Sequence, residues 1–193
     1  MADAHAEKIA ALEKELMEKQ AELNELRRAS LREKVEDYTF QAPNDRQVRL
    51  SELFGDHRDL IVIHNMGSSC PYCTLWADGF NGQIGHFQNR AGFVLVSPDA
   101  PETQEKFAAS RGWKMPMVSS QGSTFTRDMG YEREWEGKVG PWPGFSTFRR
   151  EDDGSIVRVA HSSFGPGDPY CGLWHMIGVL ADGADGWQPR FSY

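Results

Sequence analysis

The sequence predicts an α/β fold in which a mixed central sheet is flanked by helices, preceded by a long N-terminal helical arm. Apolar, β-branched runs that are typical of buried strands alternate with helical stretches through the middle of the chain. A hairpin and a last helix follow, so parallel and antiparallel strands are expected to share one sheet. We therefore divide the chain into a helical arm over residues 1–37 and a folded domain over residues 38–193.

The arm is predicted as a helix of roughly eight turns. Its apolar residues recur at intervals of three, four or seven among charged residues, with no glycine or proline between them: Ile9, Leu12, Leu16, Leu23 and Leu26. A stripe this narrow buries poorly alone. The arm can pack on its own domain, pair with a second copy or stay disordered, and a homodimer through the arm is the assembly we expect.

Short elements are predicted from Tyr38 onwards. Two short strands and a brief helix that begins at Ser51 lead into the strand over residues 60–63. Gly112 ends the helix that follows the second buried strand. In order, the predicted elements of this half are strands at 38–40, 48–50 and 60–63, a helix at 73–89, a strand at 93–97, a helix at 101–111, a strand or turn at 117–119 and a helical turn at 124–129.

The C-terminal part is predicted to contain an irregular segment, a hairpin and a last helix. Residues 132–144 hold glycines and prolines around Trp142, and we interpret them as a loop near the active site. Strands at 145–150 and 155–160 flank a Glu-Asp-Asp-Gly turn, which is a strong hairpin signal. A loop over 161–169, a helix over 170–180 and a coiled tail complete the chain.

Composition and charge exclude several classes of function. The net charge of −7 leaves no basic stripe for nucleic-acid phosphates. No apolar run approaches the roughly 20 residues that span a bilayer, and the charged first thirty residues are unlike a signal peptide. We therefore expect a cytoplasmic protein without nucleic-acid or membrane partners. Three cysteines, two of them in a C-x-x-C motif, suit a reducing compartment, where such pairs are catalytic or metal-binding and do not serve as structural disulfides.

The chemistry is expected at Cys70-Pro71-Tyr72-Cys73, a C-x-x-C motif between a buried strand and a helix. Pro71 suits the first helical turn, since its missing N–H would have no partner there. Cys70 would then cap the helix, where open backbone N–H groups and the helix dipole favour the thiolate. Cys73 would lie close enough to attack a mixed disulfide on Cys70 and release its partner.

This order of elements, with C-x-x-C at the start of the first core helix, resembles the thioredoxin fold. The segment from Phe93 to Ser120, with Val96-Ser97-Pro98-Asp99 and Gly112-Trp113-Lys114-Met115-Pro116, is similar to peroxiredoxins. Nearly the whole chain resembles the bacterial domain-of-unknown-function family numbered 899, regarded as predicted dithiol-disulfide oxidoreductases. The residues that carry this resemblance are Asp37-Tyr38, the C-x-x-C motif, Trp76-Ala77-Asp78, Phe80-Asn81-Gly82 and Asp185-Gly186-Trp187-Gln188-Pro189.

The chain departs from both comparison patterns at the site. Peroxiredoxins place Thr or Ser three residues before the peroxide-reducing cysteine and Pro four residues earlier, whereas this chain has Gly67 and Ile63. Thioredoxins place a cis-proline just before the strand that faces the C-x-x-C motif. Here that strand begins at Phe145, and the nearest proline is Pro143. A cis Trp142–Pro143 bond would present backbone to a substrate disulfide.

The function expected from these features is thiol–disulfide exchange on a protein or small-molecule disulfide. Cys70 is the expected nucleophile and Cys73 the resolving cysteine; the expected substrate-binding residues are Ser69, Pro71, Tyr72, Trp76 and Phe145. No Gly-rich dinucleotide fingerprint follows a strand, so no organic cofactor is expected, and electrons would come from a reductase or a small thiol. Two alternatives stay open.

The first alternative is a thiol peroxidase that uses the same two cysteines. The second is a non-catalytic dimeric module whose cysteines sense oxidation or hold zinc, with further ligands among His64, His161, His175 and Cys171. Cys171 lies one helical turn from His175, which could activate it, but a buried Cys171 that acts as a small apolar side chain is the simpler interpretation. His64 is interpreted as a core or rim histidine, with a proton-shuttle role as the alternative.

Overall fold

A mixed sheet forms the centre of the computed structural model, which describes residues 2–30 and 32–193. Ten strands lie in this part of the chain: β1 (Glu33–Val35), β2 (Thr39–Ala42), β3 (Arg46–Arg49), β4 (Asp59–His64), β5 (Gly92–Ser97), β6 (Met117–Ser119), β7 (Glu132–Trp135), β8 (Lys138–Pro141), β9 (Gly144–Arg150) and β10 (Ile156–Ser163). Eight of them form one sheet in the order β1-β10-β9-β4-β5-β6-β2-β3, and β7 pairs with β8 alone.

The helices lie around this sheet and between its strands. They are α1 (Ala2–Ser30), a 3-10 helix (Leu50–Phe54), α2 (Pro71–Gly82), α3 (Ile84–Arg90), α4 (Pro101–Arg111), α5 (Phe125–Asp128) and α6 (Gly172–Ile177). The predicted mixed α/β fold with an N-terminal helix is confirmed. Within the described residues, none of these helices combines the length and apolar character that crossing a bilayer requires.

Strand β4 lies in the interior of the sheet and delivers the chain to the C-x-x-C motif. It runs parallel to β5, from Leu60 opposite Gly92 to His64 opposite Val96, and antiparallel to β9. Leu60 and Val62 pack into the core on one face of the sheet, while Ile63 packs with Trp76 on the other. A strand covered on both faces needs apolar residues without alternation, which explains the continuous run in the sequence.

The N-terminal arm differs from its prediction at its C-terminal end. The helix was predicted over residues 1–37, but α1 ends at Ser30, and β1 adds to the edge of the sheet by antiparallel pairing with β10. Near the end of α1, Arg27 donates hydrogen bonds to Tyr170 Oη at 2.7 Å and to Ser162 Oγ at 3.0 Å. The apolar stripe of α1 is exposed, with side chains such as Leu16 at 70%. Pairing of two arms stays a prediction.

Three further elements differ from their predictions. Residues 132–144 were predicted as a loop, but β7 and β8 form a hairpin there, with Glu136 and Gly137 at positive φ in the turn. The helix predicted over residues 73–89 begins earlier and is interrupted at Gln83, which separates α2 from α3. The last helix is shorter than the predicted 170–180, since α6 covers only Gly172–Ile177.

Candidate active site

The loop between β4 and α2 is held by hydrogen bonds to neighbouring backbone and to one acidic side chain. The Asn65 amide donates to the carbonyl of Val96 at 2.9 Å, which continues the parallel pairing past the end of β4. The Asn65 side-chain oxygen accepts from the Gly67 amide at 2.7 Å, and the Asp99 carboxylate accepts from the Ser68 amide at 2.6 Å. These bonds fix the direction in which the chain enters α2.

Gly67 has no room for a side chain. Its φ of +107° lies in the region that favours glycine, and a Cβ there would lie 2.9 Å from a carboxylate oxygen of Asp99. The threonine or serine of the peroxiredoxin pattern therefore cannot occupy this position without displacing Asp99 from the Ser68 amide. The departure seen in the sequence thus has a steric cause.

Cys70 caps α2, as the sequence predicted. Its backbone is extended, with φ −100° and ψ 107°, and Pro71 is the first helical residue. The Cys73 amide donates to Cys70 Sγ at 3.1 Å, so the sulfur occupies the place that an oxygen of serine or aspartate usually takes at a helix start. The cap brings the sulfur of Cys70 and the backbone amides of the first turn together.

The two cysteines differ in burial and in acidity. The Cys73 thiol donates to the sulfur of Cys70, and together with the amides of Cys73 and Tyr72 it lowers the pKa of Cys70 to about 7 against the opposing effect of burial. The same contact, followed by burial, raises the pKa of Cys73 well above its usual range. Cys73 is 3% exposed, and the Met66 amide donates to its sulfur at 3.5 Å. A substantial fraction of Cys70 is therefore thiolate at neutral pH, while Cys73 stays a thiol.

Helix α2 is attached to the end of α4 by polar side chains. The Asp78 carboxylate accepts hydrogen bonds from the guanidinium of Arg111 and from Trp113 Nε1, the latter at 2.8 Å. Asn81 accepts from the Lys114 amide at 2.7 Å. Asp78 and Asn81 thus hold the helix that carries the cysteines against the rest of the domain. Both belong to motifs that support the family resemblance.

A cavity of about 800 Å³ opens beside Cys70. Helix α2 contributes Tyr72 and the buried Trp76 to its wall, and the β7–β8 hairpin contributes Trp135 and Val139 from the opposite side. The predicted position of residues 132–144 near the active site is therefore found, although they form a hairpin. The aromatic and proline residues of the lining are Tyr72, Trp76, Trp135, Pro141, Trp142, Pro143, Phe164 and Pro166.

The structure brings some of the predicted substrate-binding residues to this cavity and leaves others outside it. Tyr72 and Trp76 line it; Pro71 begins the helix beside it, and Ser69 is exposed in the preceding loop. Phe145 packs instead against Phe164 and Tyr170, and it lines a different cavity between α1 and the sheet.

The sequence leaves the isomer of the Trp142–Pro143 bond open, and the backbone shows which one is present. No peptide bond in residues 2–30 and 32–193 is cis, so the Trp142–Pro143 bond is trans. Both residues nevertheless line the cavity beside Cys70. The side chains of Trp142 and Pro143 therefore reach the candidate site, but the cis-proline of thioredoxins is not present there.

Of the remaining candidate residues, His64 and Cys171 are buried, whereas His161 and His175 are exposed. His64 stacks on Tyr131 with ring centres 3.7 Å apart and contacts Ser146 Oγ through Nε2 at 2.9 Å. Burial, together with the charges of Arg158 and His161, holds the pKa of His64 well below its usual value, so its ring is neutral. Cys171 is buried, which raises the pKa of its thiol.

A zinc site receives no support from the arrangement of side chains. His175, the predicted neighbour of Cys171, contacts the carbonyl of Asp168 at 3.0 Å. Across the described part of the chain, no three His, Cys, Asp or Glu side chains are grouped closely enough to hold a metal ion.

Two parts of the site were missed by sequence reasoning. Asp99 lies 29 positions after Cys70, and only the pairing of β4 with β5 brings it to the Ser68 amide. Its place at the end of a buried strand, in the segment similar to peroxiredoxins, was the available signal. Arg133 and Lys138 on the hairpin also line the cavity, and neither was a candidate, because charged residues in a predicted loop are usually solvated.

Comparison with solved structures shows that the fold is that of peroxiredoxins. Peroxidoxin BcpB from Mycobacterium tuberculosis is 27% identical, with a TM-score of 0.55 over 69% of this chain and 84% of that chain. Peroxiredoxin Q from Xanthomonas campestris is 21% identical, with a TM-score of 0.56 over 72% and 85%. A PrxQ mutant from Xylella fastidiosa is 16% identical, with a TM-score of 0.59 over 76% and 91%.

Comparison at the level of sequence places the chain in a family whose function has not been assigned. No curated protein matches it. A family model described as "Bacterial protein of unknown function (DUF899)" matches residues 2–189, almost the whole chain. Its fold is peroxiredoxin-like, and Cys70 caps α2 beside the cavity described above. The protein therefore belongs to the bacterial family DUF899.

Proposed function

We propose that this protein is a thiol–disulfide oxidoreductase in which Cys70 attacks a substrate disulfide and Cys73 resolves the intermediate. The observation that carries the proposal is the environment of Cys70 Sγ. It accepts hydrogen bonds from the Cys73 amide and thiol, has a pKa of about 7, and lines a cavity that opens to solvent. A nucleophile needs its thiolate form and a route for its substrate, and Cys70 has both.

The reaction follows from the different states of the two sulfurs. The Cys70 thiolate attacks one sulfur of the substrate R–S–S–R, the S–S bond breaks, and the first R–S⁻ leaves with the electron pair and takes a proton from solvent. Cys73 then loses its proton and attacks the Cys70 sulfur, which releases the second thiolate. The two electrons of the dithiol have now reduced the substrate, and the protein holds a Cys70–Cys73 disulfide. A reductase or a small thiol, which we place with the protein in the cytoplasm, would restore the dithiol.

A thiol peroxidase is the second candidate, and its support is the similarity to proteins described as peroxiredoxins. Cys70 would then be oxidised to a sulfenic acid with release of an alcohol or water, and Cys73 would condense with it to the same disulfide and release water. Gly67 counts against this function, because it stands where peroxiredoxins have Thr or Ser and has no room for either.

The test uses single-turnover oxidation of the reduced protein by bis(2-hydroxyethyl) disulfide and, separately, by hydrogen peroxide. With the disulfide, we expect Cys70→Ser to abolish the reaction, since the nucleophile is lost. We expect Cys73→Ser to stop at a mixed disulfide that releases one equivalent of thiol and adds one substrate half to the mass of the protein.

Cys171→Ser is the matched control, because it removes the remaining cysteine without touching the pair, and it should react like the wild type. Weak and equal effects of Cys70→Ser and Cys73→Ser would contradict the proposal. Oxidation by peroxide that is much faster than oxidation by the disulfide would favour the second candidate.

A further inference from the structure

The cavity beside Cys70 has the size and lining of a site for a small organic molecule. Its volume of about 800 Å³ falls within the range of about 300–1,000 Å³ that is usual for ligand pockets. Two pairs of packed rings, Trp76 with Phe164 and Trp135 with Trp142, supply apolar surface to its lining. Hydrogen peroxide or a disulfide of two short polar arms would cover little of this surface, so the lining favours a ligand with an apolar body, such as an aromatic ring.

Positively charged side chains outnumber negatively charged ones in the lining of the cavity. Arg133 and Lys138 line the cavity from the hairpin, against the single carboxylate of Glu136. All three are exposed, so they lie where the cavity opens to solvent. The guanidinium of Arg133 is held there by Ser163 Oγ at 3.0 Å and by the ring of Trp142, 5.1 Å below it. An anionic group at the open end of a bound molecule would therefore meet the positioned guanidinium of Arg133, with the exposed Lys138 nearby.

A buried donor without a partner in the part of the chain that the structure describes lies beside the cavity. Trp76 is 3% exposed and lines the cavity, and its Nε1 has no hydrogen-bond partner among the described residues. A buried indole N–H normally has an acceptor, and leaving it unpaired costs free energy. Because Nε1 is itself buried, a bound molecule would supply this acceptor only if the side chains around the indole move.

From the apolar lining and the charges of the cavity we infer that the substrate is a low-molecular-weight organic disulfide that carries an aromatic or similarly apolar body and a carboxylate. The inference rests on the proposed function, because it assigns a substrate class to the same cysteine pair. The apolar body would lie among the tryptophans and the carboxylate near Arg133 and Lys138, with one sulfur of the disulfide at Cys70. The two electrons of the Cys70–Cys73 dithiol break the S–S bond, and two aromatic thiols are released.

The test compares disulfides that differ in one property at a time. Reduced protein is mixed with bis(4-carboxybenzyl) disulfide, with its cationic counterpart bis(4-aminomethylbenzyl) disulfide and with bis(2-hydroxyethyl) disulfide. Each rate constant is divided by that of dithiothreitol with the same disulfide, which removes differences in intrinsic reactivity. We expect the carboxybenzyl compound to react at least about tenfold faster than the hydroxyethyl compound on this relative scale, and faster than the cationic one.

Binding is measured apart from chemistry with 1,4-bis(4-carboxyphenyl)butane, in which CH₂–CH₂ replaces the S–S bond. It should quench tryptophan fluorescence and slow the reaction with the carboxybenzyl disulfide. Lys138→Ala should lower the rate ratio of the carboxybenzyl to the hydroxyethyl compound about two- to fivefold, as expected for one exposed ion pair. Lys106→Ala, which removes an exposed charge on α4 away from the cavity, is the matched control and should leave that ratio unchanged.

The outcomes separate this inference from the proposed function. Equal relative rates for the three disulfides, or a clear preference for the disulfides of insulin, would overturn the substrate class while Cys70 and Cys73 still form their disulfide. If no disulfide oxidised the pair, the proposed function itself would fail, and binding of the butane analogue would then still report whether the cavity accepts an aromatic dicarboxylate.

Discussion

The two walls of the Cys70 cavity are built in opposite ways. The first wall, residues 65–76, joins an interior strand to α2, and its Cys73 and Trp76 are each 3% exposed. The second wall, the β7–β8 hairpin, pairs only with itself within the described residues, and its Trp135 is 65% exposed. The first wall carries the two sulfurs that we propose to react, and the second contributes Arg133, Trp135 and Lys138 to the cavity lining.

Under the proposed function, the reactivity of Cys70 and the selectivity for its substrate come from different walls of the cavity. The pKa of Cys70 is lowered by the Cys73 thiol and by backbone amides of α2, all within the first wall, against the opposing effect of burial. The hairpin contributes Arg133, Trp135 and Lys138 to the cavity without being part of the main sheet. A change in the first wall should therefore alter folding and thiol chemistry together, whereas a change in the hairpin should alter only which molecule reacts.

The largest effect is expected from Gly67→Thr in the first wall. A β-branched residue at a φ of +107° is strained, and its Cβ would push the Asp99 carboxylate away from the Ser68 amide. Together these effects should lower the free energy of unfolding by about 2–4 kcal/mol. Urea denaturation of the reduced protein measures this change.

Gly79→Ala is the matched control for this substitution. Gly79 lies inside α2, has a helical φ, and a Cβ there would meet nothing within 4 Å. Alanine should therefore raise the free energy of unfolding by about 0.5–1 kcal/mol. A Gly67→Thr protein as stable as the wild type would show that Asp99 and the loop can move without loss of stability. It would contradict the prediction that changes in the first wall destabilise the fold more than changes in the hairpin.

The sequence could predict the first wall because its signals are local. The apolar run 60–63, the Cys-Pro at the helix start and the spacing of Cys73 all act within a few residues of one another. Asp99 could not be assigned in this way, since its contact with the Ser68 amide depends on the pairing of two strands. Phe145 was placed correctly in a strand, but the sheet turns its ring towards Tyr170 and away from the cavity lining.

The second wall was mispredicted for a different physical reason. All four residues of β7 are exposed, so the strand has no alternation of buried and exposed side chains that a pattern could reveal. The hairpin turn at Glu136-Gly137 has the positive φ values of a tight two-residue turn, yet the surrounding glycines and prolines masked that signal. The two strands of the hairpin are therefore identified by their backbone pairing and not by a pattern in the sequence.

A smaller effect is expected on the acidity of Cys70 when its principal donor is removed. Cys73→Ala deletes the thiol that donates to Cys70 Sγ, while Cys73→Ser keeps a hydroxyl donor in the same place. The pKa of Cys70 should therefore rise from about 7 towards the value of a free cysteine in Cys73→Ala, and by less in Cys73→Ser. Iodoacetamide alkylation of Cys70 against pH, followed by peptide mass spectrometry, gives this pKa.

The lowered pKa of Cys70 also makes the free energy of unfolding of the reduced protein depend on pH in a definite direction. Because the pKa of Cys70 is lower in the folded than in the unfolded chain, unfolding takes up a proton between about pH 7 and the higher pKa of the unfolded thiol. The contribution of Cys70 should therefore stabilise the reduced protein as pH rises through this window and be lost as pH falls through about 7. An alkylation midpoint that is the same in wild type and Cys73→Ala would remove the assigned role of the Cys73 donor.

The smallest effect on folding is expected from Trp135→Ser in the second wall. Its ring is 65% exposed and packs only loosely on Trp142, with ring centres 6.0 Å apart, so its removal should change the free energy of unfolding by no more than about 0.5 kcal/mol. The alkylation midpoint of Cys70 should also be nearly unchanged, because every group that donates a hydrogen bond to its sulfur lies outside the hairpin and the exposed Trp135 ring adds little to its burial. Urea denaturation and the alkylation profile, measured on the same protein, check both points. A Trp135→Ser protein that unfolds much more easily, or whose Cys70 titrates at a different pH, would show that the hairpin supports the first wall, and reactivity and selectivity would then have a common structural origin.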